Sequence, residues 1–117
     1  MDPSLAETVP AGALPDAGAL TFLFTDVEGS TPLWERHEAL MREVTARHDA
    51  LLDAVIAATG GMRVRERGEG DSLFAVFVQP SDAVAAALAM ARAVVAEPWP
   101  AETPIRVRMG LHTGSAQ

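Results

Sequence analysis

The spacing of apolar residues along the chain changes several times, and each change marks an element. Leu20 to Thr25 is a continuous β-prone apolar run, the pattern of a strand buried on both faces and therefore central to a sheet. Ser30 or Thr31 can then N-cap a helix, and Pro32 suits its first turn. From there Leu40, Val44, His48, Leu51, Leu52, Val55 and Ile56 recur at three- and four-residue intervals, predicting an apolar stripe that lies on the sheet until Gly60-Gly61 ends the helix.

Beyond the glycines the period shortens to two. Arg63, Arg65 and Arg67 alternate with Val64 and Glu66, which reads as a short, polar edge strand with a solvated arginine face. Gly68 to Asp71 turns the chain, and Ser72 to Val78 returns as an apolar strand, so the pair predicts a hairpin. Ser81-Asp82 caps a second helix that runs to about Glu97 and stops at Pro98 and Pro100. Ile105, Val107, Met109 and Leu111 alternate with Arg106, Arg108, Gly110 and His112, a half-buried strand whose arginines again read as solvated.

The resulting order is β-α-β-β-α-β, an α+β ferredoxin-like sheet with helices on one face. The hairpin's second strand is expected between the first strand and the hairpin's first. Residues 1–18, rich in Ala, Pro and Gly without a period, are expected to be a disordered lead-in, with the domain occupying residues 19–117.

Composition narrows the function. With 117 residues, 49% of them hydrophobic, the chain suffices for one domain and no second. A formal charge of −7 argues against a nucleic-acid surface, which needs clustered Lys and Arg, so any phosphate must be bound locally. The lack of cysteine excludes disulfides and thiolate metal sites. The longest apolar run, Ala83 to Ala91, is too short to span a bilayer, and the N-terminus lacks a basic segment followed by an apolar core. A soluble, cytoplasmic protein without membrane contact is expected.

Two carboxylates carry the candidate chemistry. Asp26 ends the first strand, three residues before Gly29, and Asp71 begins the hairpin's second, directly after Gly70, and the predicted topology brings the two to one rim of the sheet. Taken singly, Asp26 reads as a helix cap and Asp71 as hairpin chemistry. Together they would repel in a low-dielectric cleft unless a cation lay between them. Mg²⁺ suits such an all-oxygen site, with the backbone carbonyl near Val27 assisting and the rest supplied by water and phosphate. The turn from Val27 to Thr31 also opens a helix whose N–H groups can face phosphate oxygens. His37, His48 and His112 are dispersed and are assigned no chemistry. His48 is placed at the margin of the helix core, while Trp34 and Trp99 read as packing anchors and Met41, Met62, Met90 and Met109 as core filling.

At three blocks the chain resembles the class III nucleotidyl cyclases, the adenylate and guanylate cyclase catalytic domain, in a bacterial form. They are Phe24-Thr25-Asp26-Val27-Glu28-Gly29-Ser30-Thr31, then Gly70-Asp71 followed by Ala75-Val76-Phe77, and Arg106-Val107-Arg108-Met109-Gly110-Leu111-His112-Thr113-Gly114. The resemblance spans about residues 19 to 117. It implies that Asp26 and Asp71, with the Val27 carbonyl, hold Mg²⁺ or Mn²⁺, and that Glu28, Gly29, Ser30 and Thr31 adjoin the substrate, a nucleoside triphosphate. It further implies a two-metal displacement in which the ribose 3′-hydroxyl attacks the α-phosphate of ATP or GTP and releases pyrophosphate, for signal transduction.

Two departures qualify that implication. The family's purine-selecting Lys or Glu sits four residues before the second aspartate, where this chain has Arg67, a planar and always-charged group that leaves base selection open. The family's transition-state Asn, its phosphate-binding Arg and its second purine-selecting residue follow the Gly110 to Gly114 strand, and this sequence stops at Gln117. Family members work as head-to-tail dimers, so a homodimer of this chain would lack the transition-state clamp. The expectation is a partial nucleotidyl cyclase domain, inactive in isolation. The alternatives are a degenerate cyclase-like module that dimerises with or regulates a complete cyclase, and a fragment without independent function. Diguanylate cyclases and polymerase palms share related topology, but the glycine-glycine-acidic turn of the former is missing here.

Overall fold

In the computed structural model, which describes residues 8–10, 18–65 and 72–115, the chain runs β1 (Thr8–Pro10), β2 (Ala19–Val27), α1 (Ser30–Arg36), α2 (Glu38–Ala58), β3 (Met62–Arg65), β4 (Leu73–Phe77), α3 (Pro80–Ala96) and β5 (Val107–Ser115). Among the described residues the strands form one sheet in the order β1-β3-β4-β2-β5. The pairs β3/β4, β4/β2 and β2/β5 are all antiparallel. β4 therefore separates β2 from β3, the arrangement expected from the element order.

Alternation along β2 sorts its side chains between two faces. Leu23 and Val27 join Met41, Val44, Leu52 and Ile56 of α2, Ala83, Ala86, Met90 and Val94 of α3, and Ala75 and Phe77 of β4 in the main core. Leu20, on the opposite face, is buried with Val64 and Val76, flanked by Phe22, Met62 and Phe74. Both helices thus cover one face of the sheet. Phe22 and Phe74 meet on the other at a ring separation of 5.4 Å, and Phe24 is left 41% exposed there.

Four local expectations need correction. Thr8–Pro10, inside the stretch expected to be disordered, is a strand parallel to β3. β3 would otherwise be an open edge, and long-range pairing supplies order that a three-residue segment cannot signal by composition. The first helix divides at His37, whose backbone (φ −137, ψ 51) leaves helical geometry between α1 and α2. The N-cap of α1 is Gly29 rather than Ser30 or Thr31, and no side chain hydrogen-bonds there. α3 begins at Pro80, with Gln79 as its N-cap in place of Ser81-Asp82.

Gly60 and Gly61 end α2 for different reasons. Gly60 adopts a left-handed φ of 77°. A Cβ on Gly61 would collide with the ring of the buried Phe77, so only glycine fits between α2 and β3 beside that ring. At the far end of α3, Trp99 donates its indole N–H to the Val94 carbonyl (2.8 Å) and lies under the Arg47 guanidinium. Arg47 also pairs with Glu97, which ties α2 to the segment after α3.

Candidate active site

Asp26 occupies the last turn of the pleat in β2. By alternation it shares the face opposite the helices with Phe22 and Phe24, while its neighbours Thr25 and Val27 are buried against the helices. Asp26 is partly exposed, its side chain 27% accessible. Its main-chain partner across the sheet is Arg108 of β5. Met109 and Val107 pack on the helix side, so Arg108 emerges on the same face as Asp26. The two side chains meet as a fork on a carboxylate: Arg108 donates Nε–H to Asp26 Oδ1 (3.0 Å) and Nη2–H to Oδ2 (2.9 Å). These hydrogen bonds, and then the Asp26 charge, hold the Arg108 guanidinium above its ordinary value, with Glu28 adding a smaller charge effect.

The turn that follows is fixed by the main chain. The Glu28 N–H donates to the Arg106 carbonyl (2.8 Å), extending the β2/β5 ladder one residue past Val27. The Val27 side chain is buried in the core, so only its main chain can reach a ligand. Gly29 takes the left-handed conformation (φ 65, ψ 31) that reverses the strand into α1, a position where a side chain would be strained. Glu28 and Thr31 are exposed and Ser30 is half-buried. α1 is only seven residues long, so its dipole adds little and any hold on phosphate falls to individual N–H groups and side chains.

Asp71 and Arg67 lie outside the described residues. The chain re-enters the sheet at Leu73, opposite Thr25, next to the strand end that carries Asp26. Among the described residues, no three His, Cys, Asp or Glu side chains gather as a metal cluster.

Two side chains depart from expectation. Arg63 is not a solvated face residue: it points to the helix side, and its Nη1 reaches both carboxylate oxygens of Asp53 on α2, at 3.0 and 3.1 Å. His48 lies within the core, 1% exposed, rather than at its margin. Its Nδ1 is 2.9 Å from Asp49 Oδ1, and its Nε2 has no partner. Arg108 is solvated, as expected, with its side chain 63% exposed, and its contact with Asp26 is an addition that alternation does not indicate. The contact is set by register: Asp26, second from the end of β2, stands across the ladder from Arg108, second in β5, and these strand bounds are visible only in the structure.

No helix among the described residues is long and apolar enough to cross a membrane. The profile of the adenylate and guanylate cyclase catalytic domain matches residues 14–117. An uncharacterized protein of Mycobacterium tuberculosis is 41% identical over 104 residues, which cover 89% of this chain and 34% of that protein. The adenylate cyclase of Schizosaccharomyces pombe is 32% identical over 101 residues, 86% of this chain and 6% of its own length. Among solved structures, an adenylate cyclase from Trypanosoma brucei in its monomeric state superposes with a TM-score of 0.78 at 25% identity, covering 88% of this chain and 60% of the other. The guanylate cyclase domain of RhGC from Catenaria anguillulae, in complex with GTP, shares the fold with a TM-score of 0.75 at 21% identity, over 86% and 59% of the two chains. The chain therefore spans about a third of the length of its mycobacterial relative and about 60% of the solved domains. Fold, sequence and the strand-end carboxylate together establish that this chain belongs to the adenylate and guanylate cyclase catalytic-domain family.

Proposed function

We propose that residues 19–117 are the metal-holding portion of a nucleotidyl cyclase domain that acts on ATP or GTP. The single observation that carries this reading is Asp26: a carboxylate at the end of the interior strand β2, on the sheet face opposite the helices, with both oxygens already engaged by a cation. Hard oxygen donors in such a place fit Mg²⁺ or Mn²⁺. Asp71 would be the second ligand. The pairing of Leu73 with Thr25, two residues after Asp71, supports that assignment.

When bound, the divalent ion would neutralise phosphate charge and favour an alkoxide at the ribose 3′ position. The chain's own residues would do the rest of the holding. Asp26, Asp71 and the Val27 carbonyl would anchor the ion. Glu28, Gly29, Ser30 and Thr31 would border the triphosphate, and Arg67 would lie toward the base. In the reaction a bond forms from the 3′-oxygen to the α-phosphorus while the bond to the β,γ-diphosphate breaks, and the hydroxyl proton passes to solvent. Donors that stabilise the departing charge would come from another polypeptide segment, so the isolated chain is expected to be inactive.

The test has two arms. Titration of the chain with Mn²⁺, followed by electron paramagnetic resonance, is expected to show binding that Asp26→Asn and Asp71→Asn each weaken; binding indifferent to both removes the site. Incubation with Mg²⁺ or Mn²⁺ and ATP or GTP is expected to give no cyclic nucleotide, and product above an Asp26→Ala control would refute the inactivity.

A partner role, as a dimerising or regulatory module, is favoured by a separate observation. Val84, Leu88 and Val95 of α3 and Leu111 of β5 are exposed apolar side chains, beside an apolar groove of about 200 Å³ between α3 and β5. A complete family member mixed with the chain is expected to co-elute with it. Separate elution and unchanged cyclase activity would count against the module.

A further inference from the structure

We propose that Arg108 is a built-in counter-ion for Asp26, which a divalent metal must displace before it can occupy the site. The inference rests on the reading of Asp26 as a metal ligand and adds a gate to it. Backbone register holds the two residues face to face, because Asp26 and Arg108 are direct partners in the β2/β5 ladder. The contact engages both carboxylate oxygens, so the ligand atoms an ion needs are the ones the guanidinium holds.

The two partners differ in their freedom to leave. The Asp26 side chain is 27% exposed and sits on a strand paired on both sides, whereas Arg108 is 63% exposed on a strand that ends the sheet among the described residues. Separation therefore moves the arginine. Space for that movement adjoins it: the next residue of β5 on the same face is Gly110, and nothing lies within 4 Å of where its Cβ would be. Glu28, already felt by Arg108 as a nearby negative charge, offers a second acceptor for the displaced guanidinium.

The exchange replaces one positive charge by two on an acidic rim. It keeps the carboxylate neutralised when no metal is present, and it lowers metal affinity below what the carboxylates alone would give. An exposed pair is a modest obstacle, so the gate tunes affinity rather than closing the site.

Mn²⁺ titration without nucleotide, followed by electron paramagnetic resonance, is expected to give about two- to fivefold tighter binding in Arg108→Gln than in the parent chain. Arg108→Lys, which keeps the charge but loses the fork, is expected to fall between. In the parent chain, the Nε–H resonance of Arg108 is expected to lose its protection from solvent exchange when Mg²⁺ is added. Parent binding that depends on Asp26, together with equal or weaker binding in Arg108→Gln, or an Nε–H resonance unmoved by saturating Mg²⁺, would overturn the gate while leaving the site intact. Absence of any Asp26-dependent binding in parent and variant alike would overturn both.

Discussion

Among the described residues, two arginine–aspartate pairs share their chemistry and differ in setting. Arg63 meets Asp53 between β3 and α2, with side-chain exposures of 25% and 15%. Arg108 meets Asp26 on the sheet face opposite the helices, with exposures of 63% and 27%. The inner pair is partly shielded from water and joins helix to sheet. The outer pair is bathed in solvent, so its partners can be exchanged at little cost. Burial, rather than residue type, separates a fastening from a gate.

The sharpest way to break this contrast is to remove one carboxylate at a time. Asp53→Ala leaves a half-buried guanidinium without its partner and is expected to lower stability by about 2 kcal/mol in urea denaturation. Its Mn²⁺ affinity should not change. Asp26→Asn should do the reverse, weakening Mn²⁺ at least about tenfold while leaving the urea midpoint within experimental error. Equal stability losses in the two variants would erase the distinction.

Salt probes the same difference more gently. The Debye length falls to about 3 Å at 1 M salt, so raising NaCl to that level should speed solvent exchange at the Arg108 Nε–H far more than at any guanidinium proton of Arg63. Similar acceleration at both would show that the inner pair is as wet as the outer.

The smallest effect expected is one of pH. Burial pushes the Asp53 carboxyl above its ordinary 3.8, and the Arg63 charge and hydrogen bond offset only part of that rise. The folded chain then holds this proton to higher pH than the unfolded chain does. The contribution of Asp53 to stability is accordingly fullest below its unfolded value and declines as pH climbs through its raised folded value. Urea midpoints of the parent chain relative to Asp53→Asn should drift downward as pH rises from 4 to 6; an upward drift would mean that Arg63 dominates.

Much of the fold was legible because its signals are local. The unbroken apolar run of β2, the stripe from Leu40 to Ile56 and the prolines after α3 each declare their element within a few residues, and the element order then restricts the sheet to few topologies. What escaped depends on distant partners. Thr8–Pro10 is a strand because β3 offers it an edge. Arg63 is drawn inward by Asp53, ten residues earlier and on another element. The break at His37 carries no glycine or proline to announce it.

The site was legible to the same degree. Asp26 and the Gly29 turn could be picked out because strand end, acid and glycine fall within four residues. Arg108 could not, since alternation gives the face of a side chain but not what stands across the ladder from it. Asp71 and Arg67 remain expectations that rest on motif and on the position of Leu73.

Among the described residues β5 lies at the end of the sheet, and this has a practical side. A nine-residue strand with an accessible Leu111 is a docking rail for any other extended segment, including the same strand of a neighbouring molecule. Concentrated solutions of this polypeptide should therefore grow cloudy with storage, and Leu111→Lys should keep them clear.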